Sequence, residues 1–201
     1  MTDPSGGPGG RQTTEDELRA ATLGPLVRLD GTIELVDYDP AWPAAFELEA
    51  ATIRAALGER VLLLEHAGST SVSGLPAKPR IDIVLAVADS ADESSYAPDL
   101  ESAGYVLRIR EPEWHEHRTF IRPDRAVNVH VFTAGSPEVE RMLLFRDHLR
   151  ADPADRDLYA RTKRELASRT WAYVQHYADA KSAVVEAIIE RARRAKRARP
   201  G

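Results

Sequence analysis

The sequence predicts a mixed α+β fold whose C-terminal third is helical, and two observations carry that reading. Between Arg60 and Phe132, short apolar runs alternate with turn residues, as strands do. After Phe132 the apolar period lengthens to that of helices and does not change back. With 201 residues, 43% of them apolar, the chain can build one domain with a full core.

In chain order, residues 1–25 are dominated by Gly, Pro and small polar side chains. They are expected to form a flexible tail with a short helix opening at Thr14. Thr32 to Asp37 reads as a first strand. Asp39-Pro40 predicts a helix start, with Asp39 as N-cap and Pro40 at the first helical position. Trp42, Phe46, Ala50, Ile53 and Leu57 recur at helical spacing, and Gly58 stops them. Arg60 to His66 and Ile81 to Ala88 are strands, the second apolar on both faces and therefore central. Ser90 to Ala103 suits a helix; Tyr105 to Ile109, Arg118 to Arg122 and Val127 to Phe132 are further strands. Ser136-Pro137 and Asp152-Pro153 each open a helix, and Trp171 to about Arg197 continues as one more. The expected organisation is a single domain over residues 26–190 and a basic tail over residues 191–201. That tail carries six cationic residues, suited to an acidic partner or to a solvated helix end.

Composition narrows the function. Lys and Arg number 27 against 32 Asp and Glu, a net charge of −5, so nucleic acid is not an expected partner for the surface as a whole. The chain has no cysteine, which excludes disulfides, thiolate metal sites and cysteine nucleophiles. No apolar run approaches the roughly 20 residues of a membrane span, and no signal-peptide core is visible. A cytoplasmic protein without a membrane partner is the expectation.

The segment from His66 to Leu85, HAGSTSVSGLPAKPRIDIVL, is the richest in chemistry. A strand ends in Gly68, Ser69, Thr70 and Ser71, whose small size permits close backbone approach to phosphate oxygens. Lys78 and Arg80 add positive charge. Asp82 then enters an apolar strand, where a carboxylate needs a cation, a metal or several hydrogen bonds. A Gly/Ser stretch by itself also reads as a plain turn. In combination, the layout resembles that of nucleotidyltransferases of the DNA polymerase β type.

Longer blocks make the resemblance closer. ELVDYDPAWPAAFELEAATIRAAL, EHAGSTSVSGLPAKPRIDIVL, REPEWHEHRTF, VNVHVF and MLLFRDHLRADPADRDLYARTKRELA together resemble the GrpB family over about residues 32–190. That resemblance implies a nucleotidyltransferase-like mixed sheet flanked by helices. It also implies phosphate binding at Gly68, Ser69, Thr70, Ser71 and Lys78, with Lys163 and Lys181 as further cations from the helices. Active nucleotidyltransferases usually carry Asp-x-Asp on the second strand, whereas Asp82-Ile83-Val84 has valine at the second position. Asn128 and His130 alternate with Val127, Val129 and Val131 and share a strand face, so they are the nearest replacements.

Asp82 and His130 are therefore the candidate catalytic pair and the candidate ligands for a divalent metal, magnesium or manganese rather than zinc. His66, His115, His117, Arg118 and Asn128 are candidate substrate contacts. His115 and His117 are two apart, as on one strand face, or else lie in a turn after Pro112. Arg118, Phe120 and Arg122 alternate along a strand, as a phosphate site or as a cross-strand charged surface. Arg146, Lys163 and Lys181 equally suit exposed helix faces. The expected ligand is a nucleotide or another phosphorylated small molecule, and the expected reaction is metal-dependent nucleotidyl transfer to a small molecule. A non-catalytic module derived from such an enzyme is the alternative. Oligomeric state is not written in the chain.

Overall fold

The computed structural model describes residues 11–198. The flexible tail expected over residues 1–10 and the last three residues of the basic tail lie outside the described residues. Seven helices surround one five-stranded sheet: α1 (Glu15–Ala21), α2 (Trp42–Leu57), β1 (Leu63–Ala67), β2 (Ile81–Val87), α3 (Ala97–Ser102), β3 (Val106–Glu111), β4 (His117–Arg122), β5 (Val127–Thr133), α4 (Pro137–Ala151), α5 (Pro153–Ala167), α6 (Val174–Ala180) and α7 (Ser182–Ala198). The strand order is β1-β2-β5-β4-β3. β2 and β5 pair in parallel, and the other pairs are antiparallel.

One face of the sheet carries the main core. Ile83, Leu85, Val129, Val131 and Phe120 pack there against Trp42, Phe46, Ala50 and Ile53 of α2 and Leu100 of α3. The apolar spacing seen in the sequence is the buried stripe of α2. The other face is shared. Ala67, Val84 and Phe132 bury against Val139 of α4, while α4, α5 and α7 close on one another around Leu149, Tyr159 and Ile188. The rest of that face stays open, and the chemistry gathers there.

Several local expectations change. Thr32 to Asp37 is not a strand of the sheet. Its strand-like pairing is limited to one bridge, Val36 with Ala77, with another just before it, Gly31 with Trp171, while Ile33 packs in a small cluster with Leu166 and Tyr177 and donates to the Ala167 carbonyl. Helix α2 starts at Trp42, two residues beyond the predicted first turn. Asp39 instead accepts the Ala41 amide at 2.8 Å, and Pro43 sits in the opening turn. The helix predicted from Ser90 shortens to a 3-10 turn and α3, since Pro98 can open a helix but not continue one. The long last helix breaks at Lys181 into α6 and α7.

Residues 11–25, expected as tail, are tied down. Thr14 and Glu17 form a reciprocal capping box that closes α1. The Thr13 amide donates to Asp179 Oδ2 at 2.7 Å, and Thr22 bridges Ile109 at the sheet edge. At the other end, the basic segment remains helical to Ala198, with Ala192 buried and Arg191 paired with Asp155.

Candidate functional site

β1 ends at Ala67 opposite Asp82, and the chain leaves the sheet at Gly68. Gly68 has φ 64° and ψ −172°, a conformation open almost only to glycine. A Cβ there would lie 2.4 Å from Asp82 Oδ2, so the turn is pressed directly onto the carboxylate. Ser69–Ser71 then make a 3-10 turn, with Ser71 Oγ donating to the Gly68 carbonyl at 2.6 Å. Parallel pairing sets Asp82 beside Asn128 and Val84 beside His130. The Asn128 amide donates to Asp82 Oδ1 at 2.9 Å, and its oxygen accepts from Arg80 at 3.2 Å. His130 Nε2 lies 3.8 Å from Asp82 Oδ1.

Cations crowd this carboxylate. Lys163, 3% exposed, donates to the Pro76 carbonyl and lies over the Tyr159 ring, its Nζ 5.3 Å from the centroid. Lys181 sits at the break between α6 and α7, its Nζ 4.6 Å from the Tyr177 ring centre. Lys78 and Arg80 come from the loop before β2. Burial and the neighbouring Lys181 push the Lys78 ammonium down to about 8. Burial, then Lys181 and Lys78, hold Lys163 well below the ordinary lysine range. Burial pushes the Asp82 carboxyl up, but His130, Lys78 and Asn128 outweigh it and keep the group ionised. Lys78, Arg80, Lys163 and Lys181 thus line a cavity of about 410 Å³ together with Asp82.

Behind His130 runs a buried relay. Glu111 Oε2 lies 2.8 Å from His117 Nδ1, and His117 Nε2 lies 3.1 Å from His130 Nδ1. His117 is fully buried, and that burial lowers it to about 4, so the ring is neutral. A carboxylate only accepts, so the His117 proton sits on Nδ1 and its Nε2 is bare. His130 must then present Nδ1–H to it, which leaves His130 Nε2 toward Asp82 and the cavity.

The structure gathers Gly68, Ser69, Thr70, Lys78, Asp82, Asn128, His130, Lys163 and Lys181 around that cavity, and parts the remaining candidates. His66 points to the opposite face of the sheet, stacked on Phe46 at 4.8 Å. Its Nε2 meets Thr70 Oγ1 at 3.0 Å, and that hydroxyl donates to the Arg80 carbonyl, so both side chains brace the loop. Ser71 is likewise spent on Gly68. His115 and Glu116 both have positive φ, which places His115 in an exposed turn and breaks the expected alternation with His117. Arg118 lies on the α2/α3 face with Glu93, and Arg122 there meets the buried Glu49. Both arginines therefore pair with acids outside the strands, on α2 and on the turn before α3, and not across neighbouring strands. Arg146 also lines the cavity, but its guanidinium joins α4 to β1 through Glu65 and the His66 carbonyl.

Sequence reasoning missed the bridge from Arg80 to Asn128 and the part played by Glu111. It also missed the N-terminal segment, whose Leu18, Leu26 and Val27 line the same cavity. The capping box was a readable signal for the helix, but nothing in the residues announced where it docks.

Fold and cavity together define a mixed α+β protein with a cationic pocket on one sheet face. Its family follows from comparison: the GrpB protein family model matches residues 32–191, and the chain belongs to that family. It is 57% identical over 179 residues to a UPF0157 protein of Halalkalibacterium halodurans, covering 89% of this chain and 92% of that one. A UPF0157 protein of Streptomyces coelicolor is 49% identical over 165 residues, covering 82% and 87%. The crystal structure of conserved protein GrpB from Enterococcus faecalis matches with TM-score 0.69 and 30% identity, over 81% of this chain and 99% of that one. No described helix is long and apolar enough to cross a membrane.

Proposed function

We propose that the cavity binds a phosphate-bearing small molecule, a nucleotide in the nucleotidyltransferase-like reading of this sheet. The observation that carries the proposal is the set of four cations, Lys78, Arg80, Lys163 and Lys181, lining one cavity with Asp82 and the Gly68–Ser69 turn. Phosphate oxygens would accept from the lysines and from the turn. An entering anion also favours the charged form of Lys163 and Lys78, whose ammonium groups are otherwise held back by burial and by each other.

Asp82 and His130 Nε2, 3.8 Å apart, would hold one divalent metal. Asn128 is not available, because its oxygen faces Arg80 and its NH₂ faces Asp82. His130 Nε2 faces Asp82 Oδ1 at 3.8 Å, a gap that a proton or a metal cation would bridge. One imidazole and one carboxylate suit manganese better than magnesium. A metal there supplies charge neutralisation at phosphorus. The chain's own part is to position phosphate with the lysines and to hold His130 in one tautomer through Glu111 and His117. Alternatively, with no metal on it, His130 Nε2 could take the proton of an attacking hydroxyl or amine.

A second reading, binding without catalysis, has an observation of its own. Val84 stands where a second acid would sit, fully buried under Val139, so the two-carboxylate metal site of active nucleotidyltransferases has no counterpart on this strand. Calorimetric titration with pyrophosphate and nucleotides, with and without manganese, magnesium and zinc, tests the binding. Loss of affinity in Lys78→Ala and Lys181→Ala supports it, and unchanged affinity in both refutes it. Metal-dependent release of pyrophosphate from a nucleoside triphosphate decides for transfer.

A further inference from the structure

The cavity extends well beyond its cations. Strand register lays out its floor in two rows, Asp82–Asn128–Ile121 and His130–Thr119–Ile109, running from β2 and β5 to β4 and β3. Adjacent strands lie about 4.8 Å apart, so the floor spans roughly 14 Å from Asp82 to β3. It is charged at one end and aliphatic at the other. Beyond β3 the lining continues with Leu18, Leu26 and Val27 of the N-terminal segment, and Val174 of α6 joins it. Val27 is 71% exposed and Val174 43%, two of the five large apolar residues left in water among the described residues. Bare aliphatic side chains along a cavity are a place for an apolar ligand to bury surface.

Polar groups at this end are already committed. Arg108 donates to the Leu23 and Pro25 carbonyls, Tyr173 donates to Glu15 while accepting from Arg28, and Thr119 meets His117. A nucleobase carries donors and acceptors on its edge that need partners when buried. The aliphatic shelf offers branched side chains and few uncommitted polar atoms. From this juxtaposition we infer that the ligand is a phosphate ester of an aliphatic body, its phosphate among Lys78, Lys163 and Lys181 and its chain over Ile121 and Ile109 toward Val27 and Val174. The inference rests on the phosphate-binding reading and replaces its nucleoside with an aliphatic group.

Titration of the full chain with inorganic phosphate, butyl, hexyl and octyl phosphate, adenosine monophosphate and hexanol tests it, all below aggregating concentrations. Each added methylene that is fully buried should tighten binding about fourfold. Ile121→Asn and Ile109→Asn, both at partly exposed positions, should flatten the chain-length series while leaving inorganic phosphate binding within about twofold. Melting curves of both variants check that they fold, and either folded variant suffices. Binding of inorganic phosphate with no gain from longer chains overturns the inference and leaves the phosphate site standing. Adenosine monophosphate binding tighter than every alkyl phosphate, insensitive to both substitutions, overturns it in favour of a base. Failure of every phosphate to bind removes the phosphate site itself, and the inference with it.

Discussion

Asp82 is held ionised by cations on several sides, and its two roles predict opposite results on substitution. It repels an entering phosphate, and it offers a ligand to a metal. Asp82→Asn should therefore tighten metal-free pyrophosphate binding and abolish any gain from manganese, both read by calorimetry. An affinity that falls without metal would mean that the carboxylate positions the lysines. Gly68 is the second residue on which the site turns. Gly68→Ala meets both an unfavourable backbone conformation and the Asp82 carboxylate at 2.4 Å. It should cost about 1–3 kcal/mol by denaturant unfolding. In the double variant with Asp82→Ala, the part due to the clash should vanish and the backbone part remain.

Among the elements, the two Pro-led helices of the C-terminal third show that one sequence device has two outcomes. Asp152 caps α5, accepting the Asp155 amide at 2.9 Å. Asp152→Ala should cost about 1 kcal/mol. Ser136 precedes α4 in the same way but makes no capping bond, and its buried hydroxyl has no hydrogen-bond partner. Ser136→Ala should leave the melting temperature unchanged or raise it slightly. Equal losses in both variants would contradict the difference. The elements also set the charge of the site. Lys181 reaches the cavity because α6 stops and α7 begins there, so a helix made continuous would carry that lysine elsewhere.

The whole molecule carries two buried histidines that resist protonation, His66 and His117, each lowered to about 4 chiefly by burial. The unfolded chain binds these protons near pH 6.5 and the folded chain only near 4. Stability is therefore full above pH 6.5 and is lost as pH falls toward 4, by up to about 3 kcal/mol for each ring. Melting temperatures measured across that window should fall, and His66→Gln should flatten the slope by part. A flat profile would place His66 in contact with solvent. The sites are coupled to the whole in another sense: phosphate bound by the lysines must stabilise the native state, and more so at higher ligand concentration.

Strands β2 and β5, helix α2 and the Gly68-to-Asp82 segment were legible in the residues, because each is a local pattern: alternation, helical spacing, a glycine before a strand. The shared face of Asn128 and His130 was legible for the same reason. What tertiary structure decided is which faces meet. His66 and Asp82 both lie near the same turn, yet alternation across paired strands sends them to opposite sides of the sheet. Arg118 carries the charge a phosphate site wants but faces Glu93, while His117, one residue earlier, sits behind His130. Residues 11–25 have the composition of a tail and become a wall of the cavity, because their partners, Asp179 and Ile109, are distant in sequence. Side-chain chemistry and strand period are written locally; the direction a face points, and what closes over it, depend on contacts between residues far apart in the chain, which no local pattern contains.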